Sequence, residues 1–370
     1  VRAGAPDEVL SGAAGWWPVV QSWRGSSLLA AEVPVMSGRV TASVQQEIPE
    51  RLSLTVPRFD GRDWLPRGEQ DPLARFGQEL SVSIMVWSSV TGAQYETRVG
   101  RYLITDWDYD DDSGEIRVTA EGLLRRVARA KITSPMAPRA GGTLVSEARR
   151  LLPAGMSAGF TGLTDRACPT SMEWSEDRLA ALYEIADAWP ARLRTDAWGQ
   201  LQFLPPLPEV ATPIISLTDG LPRAGLPGSP RGTVLGADRS DTTDGSFNEV
   251  VARSSATDVD IQAVARQATG PMALTAPDGT VTNGPITKVW SSPLLRTQAQ
   301  AQASADTMLA NSLWPRRTVP ARLVPDPRID LDDPVELWRD GMRDWGYVVA
   351  YDLPLTVSDG AMRLDIGVAA

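Results

Sequence analysis

From Ser27 onward β signals dominate, in segments where apolar and polar residues alternate with the two-residue period of half-buried strands or run with β-branched residues. Gly38 to Val44, Leu52 to Val56, Leu80 to Trp87, Arg98 to Trp107 and Glu115 to Ala120 each predict a strand. Short strands at this spacing predict a small antiparallel barrel or sandwich. At Glu121 the period changes to that of a helix, with Leu123, Leu124, Val127 and Ala128 on one side and an end near Lys131. Pro135, Pro138, Gly141 and Gly142 then mark a boundary between Ile132 and Gly142.

The next stretch has α/β character. Thr143 to Leu152 predicts a short helix. Ser175 can N-cap a second one, with Glu176 and Asp177 favourably placed against its dipole, and Pro190 ends it. Leu179, Leu182, Ala186 and Trp189 share a face of that helix. Ala191 to Leu204 reads as a hairpin turning at Asp196-Ala197-Trp198-Gly199. Pro205 to Gly245, rich in Pro, Gly, Ser and Asp, predicts a linker with at most a short strand at Pro213 to Leu217. Strands resume at Phe247 to Arg253 and Ile261 to Arg266. An Ala/Gln-rich helix covers Leu294 to Leu313, and Thr318 to Val368 is β again.

The two β regions resemble each other in four blocks. Ser113-Gly114-Glu115-Ile116-Arg117-Val118 matches Asp359-Gly360-Ala361-Met362-Arg363-Leu364. Upstream, Tyr102-Leu103-Ile104 matches Tyr347-Val348-Val349, offset by one residue. Glu79 to Ile84 matches Asp332 to Leu337, and Leu54-Thr55-Val56-Pro57 matches Arg322-Leu323-Val324-Pro325. The expected fold class is therefore α+β, mainly β, with two similar small β-barrel-like modules flanking an α/β middle region. The expected organisation is an N-terminal arm (residues 1–22), a first barrel (23–132), an α/β middle domain and linker (133–230), and a second barrel with an inserted helix (231–370). In the arm, Gly4, Pro6, Gly12, Gly15 and Pro18 argue against a long regular element, while Trp16, Trp17 and Trp23 are apolar anchors and interface candidates.

Composition narrows the chemistry. Among 370 residues with a net charge of -10 there is no histidine and one cysteine, Cys168. A disulfide framework, Ser-His-Asp or Cys-His catalysis and His-containing metal sites are thereby excluded. An acidic chain whose only lysines are Lys131 and Lys288 disfavours nucleic acid and anionic membranes as tight partners. No stretch approaches the roughly 20 apolar residues of a membrane span, and Val1 to Gln21 lacks a signal layout. Assembly in a cytoplasm, with no membrane anchor, is the expectation.

Taken in order, these segments resemble the tail-tip or baseplate hub proteins (minor tail proteins) of tailed bacteriophages. The likeness lies in Val33 to Val40 leading into Leu52 to Pro57, and in Gly100-Arg101-Tyr102-Leu103-Ile104 with its hairpin and helix. It continues through Leu182 to Ala188 with Arg194 to Leu201, and closes with the Ala-rich helix, Pro325 to Leu337 and Gly346 to Leu364. The resemblance implies a homotrimer at the tail tip of a virion, presenting six similar modules in a ring that joins a six-fold tube to a three-fold tip. It implies as partners the distal tail protein, the tape measure protein and other tail-tip proteins, with DNA only in transit through the lumen. It implies no catalytic residues and no cofactors. Ala370 follows closely on the last strand, so no fused wall-cutting or fibre domain is expected. A carbohydrate-binding receptor-recognition tail protein and a carboxylate-dependent wall hydrolase are the competing readings.

The densest acidic run surrounds Asp106, Asp108 and Asp110, whose alternation suits a hard cation such as calcium. The EF-hand pattern fails there, since Asp111 stands where glycine is needed. The simpler expectation is a hairpin turn at Asp111 to Gly114, with the carboxylates on a solvated or lumen face and Trp107 and Tyr109 opposite. Glu173, Glu176 and Asp177 read as a helix start, Arg125, Arg126 and Arg129 as a solvated face or a source of intersubunit ion pairs rather than a nucleic-acid site, and Cys168 as a buried thiol.

Overall fold

The computed structural model describes residues 1–12, 14–208, 211–220, 232–238, 247–255, 260–270, 272–292, 295, 297–312 and 317–368. The first part of the chain forms α1 (Asp7–Leu10), β1 (Ala14–Arg24), β2 (Ser27–Ala30), β3 (Ser37–Ser43), β4 (Glu50–Pro57), β5 (Gln78–Ser88), β6 (Gln94–Asp110), β7 (Glu115–Gly122) and α2 (Leu124–Arg129). The middle holds α3 (Leu144–Leu151), β8 (Ala158–Gly159), α4 (Arg178–Ala188), β9 (Arg192–Thr195), β10 (Leu201–Leu204), β11 (Ile215–Thr218) and β12 (Val234–Ala237). There follow β13 (Glu249–Ser254), β14 (Gln262–Arg266), β15 (Thr287–Ser292), α5 (Gln298–Ser312), β16 (Arg317–Leu323), β17 (Pro334–Arg339), β18 (Met342–Pro354) and β19 (Met362–Val368). The protein is mainly β with few helices. Much of the linker expected over Pro205 to Gly245, together with Leu294, Leu313 and Trp314, lies outside the described residues.

One large, mostly antiparallel sheet dominates, in the order β12-β16-β19-β18-β3-β4-β7-β6-β5-β1-β2, with β17 on β18 and β11 on β17. Within it the order β4-β7-β6-β5 recurs as β16-β19-β18-β17, antiparallel at every step. Even the irregularities recur: β6 bulges between Ile104 and Asp106, and β18 between Val348 and Ala350. Arg117 faces Asp108 just as Arg363 faces Asp352, so β7 and β19 match residue for residue as the sequence predicts.

Elsewhere the register corrects the sequence alignment. Thr55, which faces Arg117, corresponds to Arg322, which faces Arg363, so β4 and β16 align one residue away from the predicted pairing. The predicted pairing would have put Arg322 into the position of buried Leu54. Glu79 corresponds to Pro334, since they face Leu103 and Tyr347, a two-residue shift that keeps every side chain on its own face. Inward side chains of both halves, among them Leu52, Ile104, Val118, Val348, Leu364 and Ile366, share one continuous core.

Residues 14–24 overturn the expectation of an irregular segment. They form β1, paired along its full length with β5 from Ala14 opposite Ser88 to Arg24 opposite Gln78. Pro18 is tolerated because β2 covers the other edge only from Ser22 onward. Trp16 packs on the core and its indole N–H donates to the Leu355 carbonyl at 3.0 Å.

The middle elements form their own core around Trp174, Leu179, Leu182, Ile185, Trp189 and Phe203. Helix α4 begins two residues later than predicted, capped by Asp177 rather than Ser175: the Ala180 N–H donates to Asp177 at 3.0 Å. Strands β9 and β10 form the expected hairpin, with β8 added in parallel. The strands predicted at Phe247 to Arg253 and Ile261 to Arg266 lie outside the large sheet. With β15 they make a separate mixed sheet, order β14-β13-β15, covered by α5 over its own small core. This unit is inserted between β12 and β16, which remain neighbours in the large sheet.

Candidate assembly surface

Eight consecutive strands of the large sheet, β12-β16-β19-β18-β3-β4-β7-β6, carry core residues on one face and polar residues on the other. The polar face follows from simple alternation: Leu52, Leu54 and Val56 point inward while Arg51 and Ser53 point out, and Leu364 and Ile366 alternate with Arg363 and Asp365. A shallow concavity on this face is lined by Thr41, Arg322, Asp352, Arg363 and Asp365. Where the two halves meet, at β18 and β3, Arg39 donates to Asp352 at 2.6 Å and to the carbonyls of Asp359 and Ala361 at 3.0 and 3.3 Å.

Asp106, Asp108 and Asp110 stand on this face at its β6 end, and Trp107 and Tyr109 pack on the core behind them. Arg117 approaches Asp108 and Asp110 at 3.6 and 3.4 Å. The Asp110 carboxyl is held below the usual range, first by the backbone N–H groups of Ser113 and Asp112, which it caps in the hairpin turn, and then by Arg117. Among the described residues no cluster of three or more His, Cys, Asp or Glu side chains is arranged to hold a metal ion.

The three tryptophans proposed as anchors are not brought together as one surface. Trp16 points inward, Trp17 is 39% exposed on the other side of β1, and Trp23 lies under the Arg101 guanidinium, 5.7 Å from the ring centre. Trp17 has Trp87, also 39% exposed, as its neighbour across Gly15. Cys168 is buried with its Sγ 3.6 Å from the Met172 sulfur, and burial raises its pKa, the opposite of an activated thiol. No helix among the described residues is long and apolar enough to cross a membrane.

Sequence reasoning missed the residues that lock the middle unit between the two halves of the sheet. Asp332 accepts from both Arg192 and Arg194, the latter at 2.9 Å. On the other side Arg98 stacks 3.7 Å above the exposed face of Trp198, and Gly199, at φ 82°, packs against Leu123 and Arg101 with no room for a Cβ. Arg192 and Arg194 lie 140 and 138 residues from Asp332 in sequence, so periodicity carries no trace of the pairing. Only the chemistry of the hairpin, Arg-Leu-Arg-Thr ahead of an Asp-led turn, marks it as polar on one side.

At this junction Thr195 donates to Glu50 at 2.7 Å, while the second Glu50 oxygen is buried without a donor. Burial raises the Glu50 pKa, Asp330 adds to it, and Thr195 and Arg194 oppose it. A carboxyl whose folded pKa is raised contributes its stability fully below the unfolded value, and loses that contribution as pH rises through the folded one. Glu50→Gln is therefore expected to melt higher than the parent at pH 7.5. The gain should vanish below the ordinary glutamate pKa of about 4.3. Melting curves at both pH values check this, and a lower melting temperature at pH 7.5 would refute it.

No protein-family model matches the sequence, and no curated protein matches it. Solved structures do. The tail protein from Neisseria meningitidis MC58 superposes with a TM-score of 0.64 at 14% identity, covering 95% of this chain and 96% of that one. The 43 kDa tail protein of prophage MuSo2 from Shewanella oneidensis gives 0.64 at 12% identity, with 94% and 97% covered. Prophage tail protein gp18 from Listeria monocytogenes EGD-e gives 0.52 at 9% identity, with 94% of each chain covered. At these identities the likeness is one of fold, and it runs nearly end to end.

Proposed function

We propose that this chain, with the fold of phage tail proteins over nearly its whole length, is a structural component of a virion tail: a homotrimeric tail-tip or baseplate hub. The observation that carries the reading is the internal repeat, two halves with one strand order and one bulge position fused into a single eight-strand polar-faced run. Each half serves as a small barrel-like module, so three copies supply six similar modules around a three-fold axis. That geometry joins a six-fold tube to a three-fold tip without any reacting group. The polar face becomes the lumen wall, and its acidic end at β6 repels phosphate, letting DNA pass without sticking. Distal tail, tape measure and other tail-tip proteins are the partners this role requires.

The test is the mass of the full chain in solution by light scattering, alone and mixed with the distal tail protein of the same genome. A trimer, or a trimer seated on a hexameric ring, is expected. A chain that stays monomeric in both samples and binds host-wall glycan would overturn the hub and favour receptor recognition through exposed Trp17 and Trp87.

A further inference from the structure

The repeat places a cavity at the same point of each half. Gly236 on β12 faces Arg322 as Ser37 on β3 faces Thr55, so the residues entering β12 correspond to those entering β3. In the second half, Thr233 ahead of β12, strand β11 and the β16–β17 loop from Val324 to Arg328 border a cavity of about 100 Å³. In the first half, Val33 to Val35 ahead of β3, Trp17 and Pro18 of β1, and Asp60 and Trp64 of the β4–β5 loop line a groove of about 570 Å³. Strand β11 takes the place of β1, running the opposite way.

The second-half cavity is the smaller one, and there the chain supplies its own cover. Asp7 and Leu10 of α1, with the adjoining Ser11, form the remaining wall. Val9 and Leu10 pack on the core, and Asp7 pairs with Arg328 at 2.7 Å. The first-half groove has no such cover. Trp17 is 39% exposed beside it, and Glu32 and Asp60 are exposed at its rim. Among the described residues neither carboxylate has an ion-pair partner. Arg62 instead lies over the Trp64 ring, 4.1 Å from its centre. The Val33 N–H donates to the Val20 carbonyl at 2.8 Å, so the Pro18 carbonyl, two residues back along β1, points to the same edge. It receives no donor among the described residues.

We infer that this groove takes a short peptide segment of another protein, aliphatic and basic, seated where α1 sits in the second half. The covered cavity shows the kind of fit: aliphatic side chains against the core and one ion pair at the rim. The signs are reversed. In the second half the loop offers an arginine and the segment an aspartate; here the groove offers two carboxylates, so the segment brings lysine or arginine. The α1 of a second copy, Asp7-Glu8-Val9-Leu10, is acidic, and the same charges reject it. Exposed Trp17 supplies apolar area for the aliphatic side chains, and the free Pro18 carbonyl accepts a peptide N–H. That the segment belongs to a neighbouring tail protein rests on the hub reading; the groove's preference for a basic peptide does not.

Two labelled peptides titrated with the full chain, read by fluorescence anisotropy, test this. One is Pro6-Asp7-Glu8-Val9-Leu10-Ser11, and the other is the same sequence with Asp7→Lys and Glu8→Lys. The lysine peptide is expected to bind about tenfold more tightly, and Glu32→Arg combined with Asp60→Arg in the protein to invert the order. Both exchanged residues are exposed, so the variant keeps the fold. Equal binding of the two peptides, an order unchanged in the variant, or no binding by either at millimolar concentration would overturn the inference. Chitohexaose binding in place of either peptide, lost in Trp17→Ala, would overturn it in favour of a glycan. Light scattering on the same samples separates this from the hub. A trimer that binds neither peptide removes the groove and leaves the hub standing, whereas a monomer that prefers the lysine peptide keeps the groove and removes the hub.

Discussion

Glu79→Ala is expected to cost about 3 kcal/mol of stability, the lower end of what breaking a buried ion pair costs. Glu79 is 2% exposed on β5, and its carboxylate is shared by Arg101 of β6 and Arg126 of α2. Removing it leaves two guanidinium groups facing each other with no carboxylate between them. The lower end applies because both arginines keep about a third of their side chains in water and can swing outward. Each also has a second anchor: Arg101 donates to the Gly25 carbonyl at 3.3 Å and Arg126 to the Gly77 carbonyl at 3.2 Å. Glu79→Gln should lie between parent and alanine variant, since it keeps the shape and one acceptor but loses the charge. Urea denaturation of the three proteins measures this. A loss under about 1 kcal/mol for the alanine variant would show that the arginines, not Glu79, hold α2 in place.

That arginine pair also explains what the sequence could and could not disclose. Strands β3, β4, β7 and β17 were legible because burial of one face leaves a two-residue period, whereas β5, buried on both faces over most of its length, was legible from the alternation of its apolar residues with serine. The repeat was legible for the same reason, together with the shared turn glycines Gly114 and Gly360, both at positive φ. Exact pairing was not. A two-residue slip between β5 and β17 leaves every face unchanged, so no pattern detects it. Strand β1 was hidden by its glycine and proline, which an edge position tolerates. The inserted sheet was hidden differently: β13 and β14 alternate as any strand does, and only long-range pairing to β15 separates them from the large sheet. The residues that tie the units of the chain to one another were the least legible, since Arg39, Asp332 and Glu79 act through partners remote in sequence.

Phe203→Ala is expected to cost about 3–5 kcal/mol, the range for deleting a fully buried aromatic side chain. Its ring is fully buried in the middle core, stacked 5.2 Å from Phe160, with the tilted Trp189 ring 6.1 Å away. That core is distinct from the one under the large sheet. The cost should therefore fall on residues 132–204 while strands β4 to β7 keep their protection, converting one unfolding step into two. The links that oppose such a split are polar and at the margins: Arg192 and Arg194 on Asp332, Arg98 on Trp198, and Tyr183 donating to the Glu47 carbonyl at 2.7 Å. Contacts of that kind orient the middle unit without sharing its core. Amide hydrogen exchange resolved by segment distinguishes the outcomes. Faster exchange confined to the middle unit supports separate cores joined by a polar seam. Uniform acceleration through β4 to β7 and β16 to β19 would mean that the seam transmits the full loss, and that the three units behave as one cooperative body.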